Sequence, residues 1–139
     1  MNSARPYAGP LQRLRAAGLR PTRQRLALGR LLFEKGDRHV TADELHAEAV
    51  EAGVGVSLAT VYNTLNQFAA AGLLREVAVE AGRAYFDTNT SDHHHFFFED
   101  GGRLVDIPAE GLSVAGVPAA PSGTEVARVD VIVRLRPRS

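Results

Sequence analysis

The chain has 139 residues, with 16 Lys and Arg against 16 Asp and Glu, five histidines and no cysteine. That length allows one medium domain or two small ones. The missing cysteines exclude disulfides, a thiolate zinc site and a catalytic thiol, and no apolar run approaches membrane-spanning length.

The zero net charge hides an uneven distribution. Through Arg30 the chain carries seven arginines (Arg5, Arg13, Arg15, Arg20, Arg23, Arg25, Arg30) and no acid, and the first acidic residue is Glu34. A basic third of this kind can bind phosphate locally, although a solvated helix face or a basic tail has the same composition. No apolar core follows the N-terminal charges, so a secretory signal is not expected. A cytoplasmic protein without a membrane partner is the simplest expectation.

Leu11, Leu14 and Leu19 punctuate a short amphipathic helix ending near Gly18. "RPTRQRLALGRLLFEKG" follows, with Leu26, Leu28, Leu31, Leu32 and Phe33 as an apolar stripe and Gly36 as its stop. "VTADELHAEAVEAG" opens on Thr41 with Glu44 three residues later, a capping-box pattern, and closes at Gly53. His46 falls off its apolar stripe and is expected in solvent. Ser57 is a good N-cap for "SLATVYNTLNQFAAAGL", which puts Leu58, Val61, Leu65 and Phe68 on one face before Gly72. "LLREVAVEAGRAYFDT" then reads as two strands around Glu80-Ala81-Gly82-Arg83, a hairpin. Helices followed directly by a hairpin predict a winged helix-turn-helix, with the third core helix in the major groove and the hairpin beside the backbone.

From Asn89 onward the chain is β-rich. "HHHFFFED", Gly101-Gly102 and "RLVDIP" predict a second hairpin, the stretch from Pro108 to Gly123 a loop or weak helix, and "EVARVDVIVRLR" a final strand. Three strands make a poor independent core, so a twin sheet from a second copy is expected to cover them. The expected fold class is α+β: an N-terminal winged helix-turn-helix DNA-binding domain over residues 1–88, then a small α/β dimerisation and sensing domain with a three-stranded sheet over 89–139.

"AGLRPTRQR", "HVTADELHAEAVEAGVGVSLATVYNTLNQFAAAGLL" and the hairpin closing on "YFDT" together resemble the ferric uptake regulator (Fur) family, from about Leu11 to about Ile107. The resemblance implies a dimeric regulator that binds double-stranded DNA at A·T-rich palindromic operators, with a tetramer as an alternative assembly. In the helix opened by Ser57, Thr60, Tyr62 and Asn63 would face the groove. Tyr62 can touch thymine methyls and Asn63 base edges or a phosphate, while core packing is the competing role for Tyr62. Arg20 matches a basic position that the family inserts into the minor groove, and Thr22, Arg23 and Arg25 would hold phosphate. Asn63 departs from the arginine many members carry, which leaves the operator sequence open.

Strand alternation puts His93, His95 and Phe97 on one side and His94, Phe96 and Phe98 on the other. Two imidazoles are too few for a tight site. The family pattern implies His39, Asp87 and Asp106 as further ligands, giving three imidazoles and two carboxylates. Such a set suits iron(II), manganese(II) or zinc, and ligands drawn from two domains supply a switch. Taken singly, His39 also reads as a capping or surface residue, Asp87 as a turn acid and Asp106 as a partner for Arg103.

Where many members hold a structural zinc with paired cysteines, this chain has Phe98 and Gly101, so packing by Phe96 and Phe98 must hold the sheet. The unbroken HHH run and the lack of cysteine resemble the Irr branch, the iron response regulators. That likeness implies haem as a regulatory ligand at His93, His94 and His95, with phenylalanines covering the porphyrin. The alternatives are a metal-dependent peroxide sensor, a plain metal-responsive repressor, a haem or metal buffer, and an iron oxygenase on His93, His95 and Asp106.

Overall fold

The computed structural model describes residues 7–80 and 83–138. Arg5 and the Ala81-Gly82 turn lie outside the described residues. The chain divides into two units, Met1–Thr90 and Ser91–Ser139, and no helix among the described residues is long and apolar enough to cross a membrane.

The first unit begins with α1 (Ala8–Ala16) and α2 (Arg23–Phe33), followed by β1 (His39–Val40), α3 (Ala42–Glu51) and α4 (Leu58–Ala70). Three of these helices start on side chains that satisfy orphan backbone donors. Thr22 accepts from the Arg25 amide, Ser57 from the Thr60 amide, and Thr41 with Glu44 closes a full capping box. After α4 the chain turns at Gly72 with φ 84°, where the Leu73 amide reaches back to the Phe68 carbonyl at 2.9 Å. Only glycine adopts that backbone without a Cβ penalty.

Leu14, Leu28, Leu32, Leu45, Val61, Leu65, Phe68 and Phe86 form the buried core of this unit. Leu58 departs from the expected stripe: it is 42% exposed, because the first helical turn of α4 lies past the end of the core. His46 is half-buried rather than fully in solvent.

The unit closes with β2 (Arg75–Glu80) and β3 (Arg83–Asp87), and β3 is the middle of a sheet ordered β1-β3-β2. The sequence suggested only a hairpin. The third strand, β1, has two residues, too few for alternation to register.

In the second unit β4 (His94–Phe98) lies between β5 (Arg103–Ile107) and β6 (Ile132–Leu135). The β4–β5 hairpin turns on Gly101 and Gly102, with φ 92° and 67°, a left-handed path closed to larger residues without strain. β4 and β6 pair in parallel, which requires a long connection. The chain between them supplies it: a single 3-10 turn at Ala109–Gly111, then irregular backbone. The expected final strand is shorter than its sequence pattern: Ile132–Leu135 pairs with β4, and residues 125–131 are irregular backbone. Phe97, Leu104 and Ile107 are buried here alongside His93 and His95.

Candidate functional site

In the first unit, antiparallel register sets His39 and Arg75 opposite Asp87 from either side. Directly opposed residues share a sheet face, so the three form one row across the strands. His39 Nε2 lies 3.2 Å from Asp87 Oδ2. The Asp87 carboxylate is fully buried and also accepts the Asn89 amide at 2.8 Å through Oδ1. Such burial requires charge compensation. Arg75, 5% exposed, is a buried cation directly across from it.

His39 is held by its neighbour. The Arg38 amide donates to Thr88 Oγ1 at 2.9 Å, and the Thr88 amide returns to the Arg38 carbonyl at 3.0 Å. The Arg38 guanidinium donates to the Leu31 carbonyl at 3.1 Å and forks onto both Glu48 carboxylate oxygens. The Arg38 hydrogen bond holds the Glu48 carboxyl below its ordinary range, against the opposing effect of burial. One side chain thus ties β1 to α2 and α3.

In the second unit, β4 alternates as expected, with His95 and Phe97 buried and His94, Phe96 and Phe98 half-buried. His95 stands opposite Asp106 in the β4–β5 register. Both His93 Nε2 and His95 Nε2 converge on Asp106 Oδ1, at 3.2 and 3.3 Å. Arg103 does not take Asp106 as its partner but lies over the Phe98 ring, 4.3 Å from its centroid.

The tautomer of His93 follows from its other nitrogen. Nδ1 is 2.7 Å from the Ser91 carbonyl, and a carbonyl only accepts, so Nδ1 carries the proton. In the neutral ring Nε2 is then a bare lone pair facing a carboxylate oxygen. Two acceptors at that distance repel unless a proton or a cation lies with them. A backbone carbonyl on the far nitrogen is the usual support of a metal-binding imidazole. The donors therefore fit a divalent ion that takes nitrogen and oxygen ligands.

His94 is bonded in the opposite sense. Its Nδ1 accepts the Val131 amide at 3.0 Å, so in the neutral ring Nε2 carries the proton and offers iron no lone pair. It lines a cavity of about 310 Å³ with His93, Leu112, Val114, Val117 and Val129.

The residues expected to meet DNA gather in the first unit. Arg20, Thr22, Arg25, Thr60 and Asn63 line one open notch of about 430 Å³ with Gln24, Thr64 and Gln67. Arg23, Ser57 and Asn63 are exposed. Tyr62 is 49% exposed while Val61 and Leu65 fill the core, so core packing is not its role. Thr22 and Ser57 spend their hydroxyls on helix caps. Arg75, the Arg38–Glu48–Thr88 strap and Gln67 were not singled out by sequence. Strand register could have flagged Arg75, and nothing in residue spacing flags the others.

The sequence model of the ferric uptake regulator family matches residues 16–132. The ferric uptake regulation protein of Shigella flexneri is 34% identical over 100 residues, 71% of this chain and 68% of that protein. The Pseudomonas aeruginosa protein of the same description is 38% identical over 95 residues, covering 68% and 71%. A structure of the Pseudomonas aeruginosa ferric uptake regulator with manganese superposes with a TM-score of 0.69 at 26% identity, spanning 94% of this chain and 98% of that one. The Campylobacter jejuni peroxide stress regulator shares the fold at a TM-score of 0.60 and 24% identity, over 93% and 96% of the two chains.

Proposed function

The chain belongs to the ferric uptake regulator family and is a metal-responsive transcription regulator, not an enzyme; from that premise we propose a homodimer that reads A·T-rich palindromic DNA when a divalent metal is bound. The first unit acts as a winged helix-turn-helix. Thr60, Tyr62 and Asn63 on α4 face the groove, Arg20 enters the minor groove, and Arg23 with the cap residues Thr22 and Ser57 meets the backbone.

His39, Asp87, His93, His95 and Asp106 are proposed as one ligand set, drawn from both units. The observation that carries this reading is Asp106 Oδ1 facing two imidazole nitrogens, one of them with its proton fixed on the far side. Iron(II) or manganese(II) suits three imidazoles and two carboxylates, with zinc as an occupant in purified protein. A bound ion supplies positive charge that lets the two carboxylates stand beside neutral imidazoles. With ligands in both units, occupancy couples them, which is the switch. The same His93, His95 and Asp106 group is the triad an iron oxygenase would use; membership of a family of transcription regulators favours the regulatory reading.

A second reading refines the first: regulation by haem, as in the Irr branch. His94 beside a cavity lined by Leu112, Val114, Val117 and Val129 as well as by Asp92 and Arg128 favours it. Ligation by His94 then requires giving up the Val131 bond, whereas His93 offers Nε2 directly. The peroxide-sensing alternative predicts oxygen added to His39 or His93 when iron(II)-loaded protein meets peroxide, visible as a mass increase.

The test is a DNA-binding titration with a duplex enriched from a randomised pool, run with manganese(II), with chelator, and with haemin. Binding that needs manganese and survives haemin supports a metal-responsive regulator. Loss of binding with haemin, and resistance in a His94→Ala variant, adds haem sensing. Binding indifferent to chelation overturns the metal switch.

A further inference from the structure

Arg25 sits in the basic first third of the chain, and its charge suggests a phosphate ligand, yet both of its terminal nitrogens donate within the protein. Nη1 donates to the Arg20 carbonyl at 2.8 Å and Nη2 to Gln67 Oε1 at 3.0 Å. A guanidinium presents its donors in a rigid planar fork, so two acceptors held by it are fixed relative to each other.

What it joins matters. One end is the exposed Arg20 segment, where Pro21 follows and has no backbone N–H with which to anchor itself. The other end is α4. Asn63 and Gln67 stand four residues apart on this helix and so share a face. Arg20, Asn63 and Gln67 all line the same notch.

We propose that Arg25 and Gln67 are positioning residues for DNA recognition, a strut that sets Arg20 against the groove-facing turn of α4 before DNA arrives. The proposal rests on the DNA-reading assignment above. It moves Arg25 from phosphate contact to the internal frame and brings in Gln67, which carries no charge. Fixing two contact groups in advance lowers the ordering cost of binding and favours sequences that place both grooves correctly. Phosphate neutralisation, by contrast, is blind to sequence and shows in the salt slope.

The experiment uses the full chain loaded with manganese(II), the enriched duplex and a scrambled duplex, each at several salt concentrations. Gln67→Leu preserves bulk and removes the acceptor on an exposed site, and far-UV circular dichroism checks the fold. The strut predicts a roughly three- to tenfold loss on the enriched duplex, no loss on the scrambled one, and an unchanged salt slope. In an Arg20→Ala background, Gln67→Leu should have no further effect. If Gln67→Leu binds like wild type, while Arg25→Ala lowers the slope by about one, Arg25 is a phosphate ligand and the strut is wrong. A wild-type protein that binds no duplex overturns the DNA-reading assignment instead. Amide hydrogen exchange at Leu19, Arg20 and Thr22 then judges the strut alone: faster exchange in Gln67→Leu supports it, and unchanged exchange overturns it.

Discussion

A carboxylate oxygen faced by two imidazole nitrogens is comfortable only with a proton or a metal among the three, which makes Asp106 the residue on which the proposed ligands of the second unit depend. An Asp106→Asn amide can donate to one Nε2 and so keeps the metal-free fold, but it removes the anionic donor. Cobalt(II) titration followed by visible absorption should show affinity at least about tenfold weaker, with the thermal midpoint of metal-free protein little changed. Glu48 gives a pH prediction. Its folded carboxyl titrates below its unfolded one because Arg38 binds it. The stabilisation is therefore complete above the ordinary carboxyl range and is lost as pH falls through and below it. Wild type should exceed Glu48→Gln by about 1 kcal/mol near neutrality, and urea titrations at successively acid pH should show that gap closing. At this scale the sequence was informative about chemistry and silent about partners. Alternation along the HHH run put His93 and His95 on one face, but the Ser91 carbonyl that sets one tautomer and the Val131 amide that sets another are tertiary contacts no spacing encodes.

Elements with strong local signals behaved as read. Thr41 and Glu44 form the capping box their spacing implied, and Ser57 caps α4. Thr41→Ala should cost about 1 kcal/mol, seen as a thermal midpoint lowered by several degrees. Shorter or non-local elements were harder. β1 is a strand only because β3 lies beside it, and the run from Glu125 to Asp130 alternates like a strand yet is irregular backbone. β4 is the element most exposed to damage. Phe97 is 1% exposed at its centre, so Phe97→Ala should remove about 3–5 kcal/mol, more than so small a sheet can lose. Hydrogen exchange should then collapse over 94–107 and 132–135 while α2 and α4 stay protected.

Charge is a property of the whole chain, and here the total misleads. Equal numbers of acids and bases give zero, yet the arginines cluster before Glu34. DNA affinity should therefore fall at least about tenfold between 50 and 200 mM salt, a dependence the neutral sum does not suggest and that filter binding across salt concentrations measures. Resemblance carried the sequence to the family. It could not reach the parallel closure of β6 on β4, because pairing partners that distant leave no local trace.

That closure also has a kinetic side. His95 pairs with Ile132, 37 residues further along, whereas the helices of the first unit form from neighbours in sequence. Loop closure over such a span is slow beside helix formation. Refolding should accordingly be biphasic, with helical signal returning first and the β4–β6 ladder later. A newly made chain passes through an interval in which α4, the helix proposed to read DNA, exists while the strand bearing His94 and His95 still lacks its last neighbour. During that interval the molecule has acquired its address before it has acquired its instruction.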